Sequence, residues 1–217
     1  MRPGTRAAEV PKTGIDASWM LLAWLLALAT SVGCQDPQQV RAQRAVAREL
    51  EARRVRRAES MELYRQGRQA CRARDLERAG ELLGKAVGVD DRNVLAWMTL
   101  GLVHHERQRA YEAAEAFHRA ARLEPTRYEP HFNLGIVLES AGRLGPAIDA
   151  YEKALALAPE EVAVMENLAR CYIRADRDLG RAAELVEKAL RSERRPEWRL
   201  WLQQQSARLA DRKAGLE

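Results

Sequence analysis

Residues 93–126 read NVLAWMTLGLVHHERQRAYEAAEAFHRAARLEPT, and their spacing decides the fold. Trp97 and Leu100 stand three apart, so in a helix they share one face and can meet a partner helix. Gly101 beside them has no Cβ, which lets a second helix cross closely. Ala113 and Ala120 offer the same close approach from the other side, with Phe117 to fill the gap between them. Pro125 cannot continue the second helix and presets the turn that follows. The stretch is a helix–turn–helix hairpin.

The pattern recurs at a fixed interval. The next copy has His131, Leu134, Gly135, Ala147, Tyr151, Ala154 and Pro159. The preceding copy keeps Leu63, Gly67, Ala79, Leu83 and Ala86, with Gln66 in the leucine slot and Asp91 in place of the proline. A fourth has Met165, Leu168, Ala169, Tyr172, Ala182, Val186 and Ala189, with one residue inserted in the turn at 175–180. Together these spacings resemble the tetratricopeptide (TPR) repeat, whose period is about 34 residues. The resemblance implies an all-α, right-handed superhelical solenoid of antiparallel helix pairs. Its units are expected at 60–93, 94–127, 128–161 and 162–195. Residues 196–213 follow as a capping helix, in which Trp198, Trp201, Leu202, Gln205 and Leu209 recur at helical spacing. Solenoids need such a cap to cover the last core, and both tryptophans are expected to bury against Leu185 and Ala189.

Charge is concentrated ahead of the repeats. The net charge is +5, and the segment 38–58 alone holds seven arginines against Glu49 and Glu51. It reads as a separate Arg-rich helix, exposed to solvent or drawn to anionic head groups. Nucleic acid is not an expected partner, because no aromatics are interleaved for stacking.

Before it, residues 19–32 (WMLLAWLLALATSV) form an apolar run behind Arg2, Arg6 and Lys12. The run is short of the ~20 residues that span a bilayer and suits the h-region of a signal peptide over 1–33. Ser31-Val32-Gly33-Cys34 resembles the lipobox of bacterial lipoproteins, departing from it at Ser31. That resemblance implies lipidation of Cys34, a short tether over 34–37, and, with Gln35 next, the outer membrane facing the periplasm. The alternative is an uncleaved anchor. Arg41, Arg44, Arg48 and Arg53 would then hold the repeats in the cytoplasm.

Catalytic and metal chemistry find no support in the pattern. Cys71 and Cys171 are separated by two repeats, too far for a disulfide, and read as small buried hydrophobes. His104 and His131 fall in packing slots, while His105 and His118 lie on other faces. No spacing fits a zinc or calcium site, and no phosphate loop or nucleophile elbow occurs. No enzyme activity, metal or cofactor is expected.

What the family resemblance implies instead is protein binding on the concave face, lined by the first helix of each repeat. One row is Tyr64, Met98, Phe132 and Glu166; the next is Arg68, Leu102, Ile136 and Arg170. Arg72, His105, Asn133, Glu139, Asn167 and Arg174 complete the lining. Met98, Leu102, Phe132 and Ile136 are expected to form an apolar patch flanked by arginines that grip acidic groups of a partner peptide. The chaperone-type carboxylate clamp is not matched, since Tyr64 and Arg68 occupy its first lysine and asparagine places. A signal, a lipid cysteine and tandem repeats together resemble the pilotin lipoproteins, which implies an adaptor that assists a secretin, pilus or secretion complex. A regulatory subunit of a cell-envelope enzyme is a further alternative.

Overall fold

The computed structural model describes residues 36–215. The apolar run 19–32, the lipobox and Cys34 lie outside the described residues. The chain divides after Ala52 into two units, and the solenoid belongs to the second. Among the described residues all regular structure is helical: α1 Pro37–Arg72, α2 Leu76–Val89, α3 Val94–Glu106, α4 Ala110–Leu123, α5 Glu129–Ser140, α6 Leu144–Leu157, α7 Val162–Arg174, α8 Leu179–Ser192 and α9 Pro196–Lys213. From α2 onward each helix packs on the next, and α3, α5 and α7 also touch in succession, which makes the stack a solenoid.

The Arg-rich segment is not a separate helix. It continues without a break into the first helix of the first repeat, so no helix end falls near residue 58. Nothing there could stop it, for neither Gly nor Pro interrupts 38–66. Ser60 spends its hydroxyl elsewhere: Oγ donates to the Ala86 carbonyl at 2.8 Å and accepts from Asn93 Nδ2 at 2.8 Å. Asn93 Oδ1 in turn caps α3 by accepting from the Ala96 amide at 3.1 Å. This buried chain of hydrogen bonds ties α1, α2 and α3 together.

Each hairpin turns the same way. Arg74, Gln108, Gly142 and Asp176 all take positive φ (63°, 60°, 73° and 48°), each 34 residues after the last. Each amide bonds the carbonyl three residues back, and the following amide reaches five back, as in Asp75→Ala70 and Arg143→Leu138. That is the Schellman ending, which satisfies the last free carbonyls of a helix.

Close crossing sets the pairing within a hairpin. A Cβ on Gly101 would fall 2.7 Å from the Phe117 ring, and one on Gly135 would fall 2.4 Å from Tyr151. In the fourth repeat the corresponding pair is Ala169 and Val186, both fully buried, so a larger residue on α7 faces a smaller one on α8.

Among the described residues the tryptophans lie at the edges of the core, which corrects the burial expected of Trp198 and Trp201. Trp97 is only half-buried at the edge of the α1–α3 core, because its indole N–H reaches out to the Asp91 carbonyl at 2.8 Å. On α9 the residues in the core are Leu202, Gln205 and Leu209, while Trp198 and Trp201 stay half-buried and meet edge to face.

Candidate functional site

The concave lining splits into what the surface shows and what lies beneath it. Leu102 is 45% exposed, and Met98, Phe132 and Ile136 are half-buried, each leaning on the core while keeping one side open. Phe132 packs its ring 5.8 Å from that of Tyr151. His105 and Asn133 are half-buried beside them, and Arg72 is exposed. Tyr64 and Glu139 do not belong on the binding surface, since both are 7% exposed. Arg68 lies over the Tyr64 ring at 5.7 Å, so the aromatic supports the guanidinium from below.

Glu139 is the hub of the α5–α7 end. Its Oε1 accepts from Arg170 Nε at 2.9 Å and Arg174 Nη1 at 2.8 Å, and its Oε2 from Arg170 Nη2 and the Tyr151 hydroxyl, each at 3.0 Å. Arg170 also bonds Asn167, which donates to the Ala163 carbonyl at 2.6 Å. Burial pushes the Glu139 carboxyl up, but the hydrogen bonds and charge of Arg170, helped by Tyr151 and Arg174, outweigh it and hold the group below its ordinary value. Burial and the adjacent Glu139 raise Tyr151, and they push the Cys171 thiol up to about 12, so that cysteine stays protonated and inert.

Arg170 and Arg174, expected to grip acidic groups of a partner, are thus already bonded to Glu139. Both are engaged, but two guanidiniums on one carboxylate leave a positive surplus. Burial also sorts the charges: Glu139 is 8% exposed at its side chain, while Arg170 and Arg174 are 30% and 48% exposed. The arginines, not the acid, face the solvent.

Two features of this end escaped the sequence reading. One is a pair of buried carboxylates under an exposed guanidinium: Arg195 Nη2 donates to Glu166 Oε2 at 2.9 Å and to Glu193 Oε2 at 2.5 Å. Glu166 Oε1 is buried without a partner. Its signal was a carboxylate in the row otherwise filled by Tyr64, Met98 and Phe132. The other is a pocket of about 210 Å³ lined by Arg170, Glu197, Trp198 and Trp201. Assigning both tryptophans to the cap hid it.

Among the described residues no group of three His, Cys, Asp or Glu could hold a metal ion. Both packing histidines are half-buried, and burial lowers their pKa; the buried Nδ1 of His104 has no partner. No helix of the described residues is long and apolar enough to cross a membrane.

Sequence profiles of the tetratricopeptide repeat match residues 64–128, 111–162 and 138–204. Tetratricopeptide repeat protein 28 of Mus musculus is 25% identical over 118 residues, 54% of this chain and 5% of that protein. The chain thus spans about a twentieth of that curated relative. Among solved structures, MamA from AMB-1 is 28% identical with a TM-score of 0.53, covering 58% of this chain and 75% of its own. Pseudomonas aeruginosa pilF is 22% identical with a TM-score of 0.60, covering 74% of this chain and 71% of its own, and shows the fold alone.

Proposed function

The chain belongs to the tetratricopeptide repeat family, a protein-interaction scaffold, and on that premise we propose a membrane-tethered, non-enzymatic adaptor that docks an acidic segment of a partner protein in its concave face. One observation supports the reading above others: the arginines over buried Glu139 lie on α7, which touches α5 with the open sides of Phe132 and Ile136, and α5 in turn touches α3 with those of Met98 and Leu102. An apolar row with guanidiniums at its end suits a segment carrying apolar residues and carboxylates, since guanidinium–carboxylate pairs are directional and strong.

Tethering rests on the sequence before the solenoid. Lipidation of Cys34 would supply more than one acyl chain, which stable anchoring requires. The arginines between 41 and 57 are exposed and would add attraction to anionic head groups. Periplasm-facing attachment to the outer membrane and help in assembling a secretin, pilus or secretion complex are the concrete form of this proposal. The basic residues beyond the apolar run favour one second reading, an uncleaved anchor with a cytoplasmic scaffold.

Photocrosslinking in the native cell from a probe at Phe132, followed by mass spectrometry, tests the docking face. A specific protein captured through an acidic segment is expected. Crosslinks distributed as for a probe on the convex face at Tyr111 would reject the groove. Cys34→Ser separates the two tethers: an uncut precursor accumulates under lipidation, whereas an uncleaved anchor is unaffected.

A further inference from the structure

The α7–α9 end of the trough carries a recess that the cap does not need. Trp198 and Trp201 stand with ring centroids 5.9 Å apart and planes at 72°, offering two aromatic walls near a right angle. Arg170 and Glu197 complete a pocket of about 210 Å³. Sites for small molecules run to roughly 300–1,000 Å³, so this one suits a single side chain better than a cofactor.

The charges around it are layered. Glu139, Glu166 and Glu193 are 8%, 1% and 5% exposed at their side chains, while Arg170, Arg174 and Arg195 are 30%, 48% and 49% exposed. Arg195 also covers the Trp198 ring at 5.2 Å. The exposed acid at the rim is Glu197, in the first turn of α9, where the helix dipole offsets it. Arg170, Arg174 and Arg195 thus turn exposed N–H groups outward over buried acids at this end of the solenoid, while the lining of the recess itself pairs Arg170 with the exposed Glu197.

We propose that Trp198 and Trp201 form a socket for one bulky apolar side chain of an acidic partner segment, held by the guanidiniums of Arg170, Arg174 and Arg195. The inference rests on the adaptor reading and names the anchor of the same partner. Aromatic pockets that exclude water around one inserted side chain concentrate binding energy in this way, and the outward N–H groups of the guanidiniums favour acidic flanks.

The probes are fluorescein-labelled peptides of Asp and Ser with one central Phe, the same peptides with Ala for Phe, and a Lys-for-Asp version that keeps the Phe. Fluorescence anisotropy is read with the full chain. The acidic Phe peptide is expected to bind tightest, and removing the anchor by Phe→Ala in the peptide or by Trp198→Ala or Trp201→Ala in the protein weakens it about tenfold. Combining peptide and protein changes adds little further loss. Trp198→Ala decides the matter if Trp201→Ala lowers the melting temperature, because Trp201 packs against the core cluster. Equal binding of the Phe and Ala peptides overturns the socket while leaving an acidic-segment trough in place. Tighter binding of the Lys peptide, or no saturable binding of any, overturns both.

Discussion

Arg195 donates to Glu166 across 2.9 Å although it already serves Glu193, so two buried carboxylates share one guanidinium where the last repeat meets its cap. Burial first, and then Glu193, push the Glu166 carboxyl up to about 7 against the opposing charge of Arg195. Glu193 moves the other way, because the Arg195 side chain bonds its ionised form. The folded chain thus keeps a proton on Glu166 that the unfolded chain has released by about pH 5. Its contribution to stability is full below the unfolded value and is lost as pH rises towards 7, to the extent of about 2–3 kcal/mol. His104 and His131, whose pKa values are lowered mainly by burial, contribute with the opposite sign as pH falls below their unfolded value. Comparison with Glu166→Gln isolates the carboxyl. The variant should melt higher than wild type at pH 8 and show a smaller loss between pH 5 and 7 in circular dichroism. Parallel melting curves would refute the assignment.

The repeated turn makes a second expectation quantitative. Gln108 holds φ at 60° in the place where the next repeat has Gly142. A left-handed conformation costs a residue with Cβ about 1 kcal/mol, so Gln108→Gly should stabilise by somewhat less than that, after the entropy of the unfolded glycine. The mirror change, Gly142→Ala, should destabilise by a similar amount. Guanidinium chloride midpoints at unchanged slope measure both, and a stabilised Gly142→Ala would contradict the argument.

Periodicity made the hairpins legible because the crossing requires small residues at Gly101, Gly135 and Ala169 whatever surrounds them. It could not show where α1 begins. That boundary depends on Ser60 bonding Ala86 rather than capping its own helix, a contact 26 residues away in sequence. Polar pairings were equally hidden: Glu139 sat in a lining row, and its burial against Arg170 and Arg174 depends on the neighbouring repeat, 31 and 35 residues on. The tryptophans of α9 misled for a related reason. Helical spacing groups Trp198 and Trp201 with Leu202 and Leu209, but it does not say which turns of α9 press on α8. Half-exposed aromatics at the first turn look the same in sequence as buried ones.

Size exchange between facing helices supplies a third expectation. Gly101→Ala places a methyl group 2.7 Å from Phe117, whose ring is 1% exposed and cannot retreat. Overpacking of this kind costs about 1–3 kcal/mol. The fourth repeat solves the same crossing with Ala169 and Val186, so Phe117→Val should cost less in the Gly101→Ala background than alone. A double-mutant cycle from denaturant unfolding reads the coupling, which is expected to reach about 1 kcal/mol in the compensating direction. Simple additivity would mean that the helices move apart instead.

Leu102 separates binding from folding better than any other residue in the trough. At 45% exposed it can become polar at little structural cost, whereas Ile136 is half-buried and packs against the α6–α9 core cluster. Leu102→Asp should hold stability to within about 0.5 kcal/mol, the usual range for exposed positions, while Ile136→Asp buries part of a charge and costs more. Partner capture should respond to the sign of the charge as well as to the lost apolar contact. An aspartate at 102 repels an acidic segment, but a lysine there keeps the long-range attraction that speeds encounter. Leu102→Asp is therefore expected to abolish crosslinking from Phe132 in the cell, and Leu102→Lys to reduce it only in part. The order of the two variants carries the test, because loss of the leucine is common to both. Equal loss would leave the apolar row as the binding surface and remove the case for an acidic partner; a stronger loss with lysine would reverse the sign assigned to that partner.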